Sequence, residues 1–251
     1  MNLVPPISTF AISAPETGTE YRIYVAGPDV ASQPGPWPAV IFLDGDDQFR
    51  FAVEGYQAAR TRGLIPPLWL VGVGYGVGYT KPGNRRLRDY TPTPLATEPD
   101  SGGAEAFRAF LGGTLWRELA ARHPIRDDHR GIGGHSLGSL LVLDALFQRE
   151  PRFSRFLASA PSLWWDDRAL LGQADRLQRT GAALPARLFL AVGENDTPSM
   201  TGDLEMLERQ LAAQPFPRLE VISRRFLRRD HYTVLPEAFS EGLQALYAGG
   251  K

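Results

Sequence analysis

Apolar residues along this chain fall into short unbroken runs separated by stretches with helical spacing. Ala39 to Leu43 (AVIFL) and Leu68 to Val73 (LWLVGV) contain no polar break, which predicts strands buried on both faces. Between them, Phe49 to Arg62 spaces its apolar residues by three and four without a proline, which predicts a helix and hence a βαβ unit. Upstream, Thr19 to Val25 (TEYRIYV) alternates polar and apolar residues, the pattern of an antiparallel strand near a sheet edge. A Pro/Gly-rich turn at Gln33 to Pro38 leads into the first buried run.

The alternation continues downstream. Ala104 to His123 has helical periodicity up to Pro124, Arg130 to Gly134 predicts a short strand, Ser136 to Gln148 a buried helix, and Phe156 to Ala160 another strand. Helices are then predicted at Asp167 to Arg179, Gly202 to Ala213 and Leu235 to Tyr247, with strands at Arg187 to Val192 and near Leu219 to Ile222. This order predicts one α/β domain over residues 1–251, a mostly parallel sheet between two helical layers. The stretch Gly74 to Gly103 is polar and rich in Gly, Pro, Thr and Arg, and loops of that size in a compact domain usually serve function.

Composition narrows the chemistry. With 251 residues, 43% of them hydrophobic, the chain can bury one large core. Its 27 Lys+Arg nearly balance 28 Asp+Glu, so neither nucleic acid nor an anionic membrane is an expected partner. Zero cysteine excludes disulfides, thiolate metal sites and a Cys nucleophile. Met1 to Phe10 lacks a basic segment followed by an apolar one, and no apolar run approaches the ~20 residues of a membrane span. The expectation is a cytoplasmic monomer or small homo-oligomer acting on a small molecule without a cofactor.

Between the predicted strand at Arg130 and the helix after it lies Gly134-His135-Ser136-Leu137-Gly138, a G-x-S-x-G pentapeptide in strand-turn-helix context. So tight a turn strains the serine backbone and leaves no room for side chains at the flanking positions, where they would meet the neighbouring strand and helix. Ser136 is thereby presented at the carboxyl end of the sheet as a nucleophile, and the N–H of Leu137 opens a helix facing the site where an oxyanion forms. Serine needs a base, and the chain offers four histidines. His123 and His129 precede the elbow strand and lie at the wrong end of the sheet. His135 adjoins the serine and points away from it. His231 follows the last predicted strand, in the chain order Ser, acid, His, and is assigned as general base.

The acid that orients the imidazole belongs after a strand between Ser136 and His231. Gly193-Glu194-Asn195-Asp196 supplies Asp196 as first choice and Glu194 as second. Asp166 and Asp167 begin a helix, where a capping role accounts for them. The second oxyanion donor is expected in the loop Asp44 to Gln48, at the N–H of Asp46 with Asp47 next. No histidine or second carboxylate cluster accompanies that acidic run, so no metal is expected.

With these residues in order, the sequence resembles the putative-esterase family of α/β-hydrolases, which includes enterobactin-type siderophore esterases, S-formylglutathione hydrolases, feruloyl esterases and mycolyltransferases. The resemblance covers nearly the whole chain. It is carried by Phe42 to Gly45, Arg88 to Pro92, Gly133 to Gly138, Ser159 to Trp165, Val192 to Asp196 and Asp230 to Tyr232. Arg88-Asp89-Tyr90-Thr91-Pro92 is most similar to the siderophore-esterase branch. The resemblance implies the α/β-hydrolase fold and ester hydrolysis through an acyl-serine, with Ser136 as nucleophile, His231 as base and Asp196 as acid. An acyltransferase using the same intermediate, and a non-catalytic binding protein on this fold, are the alternatives.

Substrate contact is expected from Arg88, Tyr90, His135, Trp164 and Trp165. Arginines cluster at Arg85, Arg86 and Arg88 and again at Arg224, Arg225, Arg228 and Arg229. If part of that charge faces the pocket it favours an anionic ester, and if not it forms a solvated face. Trp164 and Trp165 follow a strand and suit an aromatic wall, with one of the two packing into the core.

Overall fold

In the computed structural model, residues 6–29, 31 and 34–249 are described. Residues 1–5 of the segment read for a leader, and Gln33 of the predicted turn, lie outside them. The described chain forms one eight-stranded sheet in the order β1-β2-β4-β3-β5-β6-β7-β8. β3 (Ala39–Phe42), β4 (Trp69–Gly74), β5 (Gly131–His135), β6 (Arg155–Ser159), β7 (Ala186–Gly193) and β8 (Leu219–Phe226) run parallel. β1 (Ser8–Ala14) and β2 (Thr19–Ala26) form an antiparallel hairpin that joins the sheet through β2 on β4. The alternating segment at Thr19 is therefore one strand in from the edge. β1 takes the edge itself, and its outer positions are exposed.

Helices cover both faces. α1 (Gly45–Thr61) and α8 (Leu235–Tyr247) pack on one, where Phe42, Phe49, Tyr56, Leu157, Phe189 and Phe239 form the core. The other face carries α3 (Ala104–Gly112), α4 (Thr114–Arg122), α5 (Leu137–Leu146), α6 (Trp165–Gln178) and α7 (Pro198–Ala213) over Ile41, Ile132, Phe156, Leu188 and Leu190. α5 is buried along its whole length, as expected of a helix with no polar face. This is the α/β-hydrolase architecture.

Two predicted elements are revised. The long helix at Ala104 breaks at Gly113, whose backbone (φ −112°, ψ −95°) departs from helical values, giving α3 and α4. The long loop after β4 is not wholly irregular, since α2 (Arg86–Tyr90) lies within it. No described helix is long and apolar enough to cross a membrane.

Candidate active site

Parallel strands bring the loops after their carboxyl ends together, and here those loops bring together residues more than ninety positions apart. Ser136 sits between β5 and α5 with φ 58° and ψ −121°, a region that costs an L-residue roughly 1–3 kcal/mol unless its surroundings hold it. They hold it on several sides. The Ser136 N–H donates to the Ser159 carbonyl at 2.9 Å, and Ser162 N–H donates to the Ser136 carbonyl at 3.2 Å. Ser139 Oγ lies 2.7 Å from both the Gly134 and the Ser159 carbonyls. A Cβ at Gly134 would fall 2.7 Å from the Gly138 carbonyl carbon, whereas one at Gly138 would meet nothing nearer than 3.4 Å. Only the first glycine of the pentapeptide is thus sterically obligatory.

The Ser136 Oγ lies 3.0 Å from His231 Nε2, and His231 Nδ1 lies 2.9 Å from Asp196 Oδ2. The other carboxylate oxygen of Asp196 accepts the Thr197 N–H at 2.7 Å. An ionised carboxylate only accepts, so Nδ1 carries the proton and Nε2 is left to accept from the serine. The loops that meet are themselves joined: Asn195 N–H donates to the Arg229 carbonyl and Glu194 N–H to that of Phe226. Glu194 turns its carboxylate to the Arg228 N–H at 3.1 Å. The geometry therefore separates the two acids, with Asp196 on the imidazole and Glu194 on a backbone.

His135 is buried beside this chain. Its ring centroid is 4.6 Å from that of His231, and Nδ1 lies 3.0 Å from Ser159 Oγ. Burial, then the nearby charges of His231 and Arg86, push its pKa down to about 3. It is a neutral wall behind the imidazole rather than a surface offered to a substrate. His123 and His129 lie elsewhere, His123 against Trp69 and His129 just ahead of β5.

Other expected contact residues are engaged with the protein itself. Arg88 donates to Asp89 at 2.7 Å and to Thr19 on the β1–β2 hairpin at 2.8 Å. It neutralises a fully buried carboxylate that also accepts the hydroxyls of Tyr21 and Tyr75. Tyr90 is fully buried, and its hydroxyl accepts the Asp44 N–H at 2.9 Å. Trp165 is buried with Nε1 donating to Thr93, whereas Trp164 is 44% exposed. Arg86 pairs with Asp44, Arg225 with Glu208 and Arg229 with Glu237. Arg85 and Arg228 are exposed with no carboxylate at ion-pair distance among the described residues.

In the loop after β3, α1 begins at Gly45, four residues earlier than its apolar spacing predicts. The Asp47 N–H returns to the Asp44 carbonyl at 3.1 Å, which removes it as a candidate donor. Asp46, one residue earlier, keeps its place in the open first turn, where backbone N–H groups lack helical partners. Its side chain accepts the Tyr75 and Gly76 N–H groups and the Tyr24 hydroxyl. A Cβ at Gly74 would lie 2.3 Å from that carboxylate, so the glycines of β4 admit the turn above them. No group of carboxylates and histidines suited to a metal occurs among the described residues. Sequence reasoning missed Ser162, a buried hydroxyl 3.4 Å from Ser136 Oγ, and Tyr232, which is 82% exposed with its ring edge-on to His231 at 5.3 Å. Tyr232 was legible only as the neighbour of His231.

Known proteins resemble the chain throughout. It is 28% identical to the ferri-bacillibactin esterase BesA of Bacillus subtilis, over 98% of this chain and 92% of that protein. It is 31% identical to the siderophore triacetylfusarinine C esterase of Aspergillus fumigatus, over 66% of this chain and 59% of that one. Among solved structures, the BES protein from Bacillus cereus superposes with a TM-score of 0.85 at 27% identity, covering 96% of this chain and 94% of that one. The family model described as Putative esterase matches residues 14–224, and the chain belongs to that family of esterases.

Proposed function

We propose that the protein is a serine esterase that hydrolyses a siderophore ester through an acyl-serine on Ser136. The observation that carries this reading is the unbroken run from Ser136 Oγ through His231 to Asp196, with separations of 3.0 and 2.9 Å. Ser136 Oγ attacks the ester carbonyl while His231 Nε2 takes its proton. Asp196 holds the imidazole in the reactive tautomer and stabilises the imidazolium. The Leu137 and Asp46 N–H groups, each in the first turn of a helix, receive the oxyanion. On collapse the alcohol leaves with the proton from His231. Water then attacks the acyl-serine by the same route and frees the acid. A non-catalytic protein would have no need of a strained serine aligned with a carboxylate-oriented histidine.

The substrate class rests on the relatives, whose names specify siderophore esters, and on exposed aromatic residues in the loops that carry Ser162 and His231. Tyr232 adjoins the base, and Trp164 lies two residues beyond Ser162 at the nucleophile. Exposed aromatic faces suit planar aryl groups. The test is chromatographic hydrolysis of a catecholate trilactone siderophore and of its ferric complex, by the wild type and by Ser136→Ala. Release of linear and monomeric products by the wild type alone supports the reading. Equal inertness of both proteins toward these esters, with turnover of simple aryl acetates, would confine it to a general esterase.

A further inference from the structure

The long loop after β4 reaches the site through one buried cluster. The β3–β5 ladder ends where the Leu43 N–H meets the Gly133 carbonyl at 3.0 Å. Asp44, the next residue, leaves the strand with φ 53° and ψ 46° and caps α1. Positive φ is uncommon outside glycine and persists where neighbours enforce it. α2 supplies those neighbours. Arg86 grips both Asp44 carboxylate oxygens, Nε to Oδ1 at 2.9 Å and Nη2 to Oδ2 at 3.0 Å. Tyr90 accepts the Asp44 N–H at 2.9 Å. The guanidinium is in turn packed between the rings of Tyr79 and Tyr90, 4.7 and 5.5 Å from their centroids. Tyr79 receives a hydrogen bond from Gln48 of α1.

The Asp44 carboxylate is almost fully buried, and one of its oxygens lies 3.4 Å from where a Gly138 Cβ would stand. It is wedged between α2 and the first turn of the helix behind the nucleophile. A buried ion pair adds little net stability over apolar residues of equal volume, whereas a two-point fork fixes orientation. Orientation matters at this position because Gly45 and Asp46 follow directly.

We propose that Arg86 and Tyr90 are positioning residues, which lock Asp44 in its left-handed conformation and so aim the first-turn N–H of α1 at the ester oxyanion. The inference rests on the reading that this turn supplies an oxyanion donor. It gives the loop a task in the chemical step: α2 braces the half of the oxyanion site that the nucleophile elbow does not build. Displacing such a donor lowers transition-state stabilisation and leaves ground-state binding largely alone.

The test compares Arg86→Lys, Arg86→Met and Tyr90→Phe with the wild type on p-nitrophenyl acetate, together with the affinity of an aryl trifluoromethyl ketone that forms a hemiketal on the serine. Lysine keeps the charge and loses the fork. Phenylalanine removes one hydroxyl and keeps the ring, so it reports even where an Arg86 variant folds poorly. The expected result is a kcat lower by about ten- to a hundredfold for the Arg86 variants and by about fivefold for Tyr90→Phe. KM should stay within about twofold, and ketone affinity should fall in step with kcat. Arg85→Ala, which removes an exposed neighbouring charge, should match the wild type. Unchanged kcat in all three variants while Ser136→Ala is inactive overturns the clamp alone. Full turnover by Ser136→Ala overturns the underlying reading as well. A loss of kcat matched by melting at the assay temperature, with ketone affinity per folded molecule intact, reduces the pair to a structural role and also overturns the proposal.

Discussion

Protonation of His135 is coupled to folding, and the size of that coupling follows from its surroundings. Burial and the charges of His231 and Arg86 lower its pKa from 6.5 to about 3. In the unfolded chain the imidazole binds a proton as pH falls through 6.5, while in the folded protein it does not until about pH 3. Between those values the unfolded state holds more protons, so acidification destabilises the fold. With about 1.36 kcal/mol per pKa unit, linkage gives a negligible penalty at pH 7 and one of about 2 kcal/mol at pH 5. His135→Gln removes the titrating group and keeps a polar side chain near Ser159. Urea unfolding of both proteins at pH 7 and pH 5 should show the wild type losing about 2 kcal/mol more than the variant over that interval. Differencing the two proteins cancels the titration of the shared groups that do not contact residue 135. Equal losses in wild type and variant would mean that His135 takes its proton in the folded state as readily as in water, and the neutral-wall account would fail.

Asp196→Asn should lower kcat by about 10⁴-fold with a near-normal KM, because the imidazole loses its orienting acceptor. Glu194→Gln, whose carboxylate faces the Arg228 N–H, should stay within about twofold of wild type in the same steady-state assay. Gly134→Ala places a methyl group 2.7 Å from the Gly138 carbonyl carbon. It should cost at least about 2 kcal/mol in a denaturant melt, and a neutral result would mean that the elbow is looser than its contacts imply. Trp164→Ala and Tyr232→Ala should raise KM for catecholate esters by about three- to tenfold and leave that for acetyl esters nearly unchanged. Equal effects on both esters would remove the aromatic rim from recognition.

The parallel sheet and the tight turn that holds Ser136 were legible because each rests on local pattern. Buried strands show as unbroken apolar runs, as at Ala39 to Leu43, and the elbow shows as glycine and serine between a strand and a helix. His231 followed from the order of elements and the small number of histidines. The choice between Asp196 and Glu194 did not, since both occupy one loop and its hydrogen bonds to the β8 side decide which points at the ring. The edge strand β1 escaped because its outward residues are exposed and only Ile12 and Ala14 of its seven residues are buried. Arg88 and Arg86 are two residues apart in one cluster, yet one neutralises Asp89 and the other Asp44. Tyr90 and Trp165 likewise turned inward. Residue type alone does not tell which arginine or ring faces a pocket; three-dimensional packing does.

The proposed chemistry requires Ser136 to carry the acyl group. Treatment with a fluorophosphonate, followed by intact mass and peptide mapping alongside residual esterase activity, tests it most directly. A single adduct on the peptide containing Ser136, activity lost in proportion to labelling, and no labelling of Ser136→Ala are expected. An adduct on another serine, or full activity in a fully labelled protein, would contradict it.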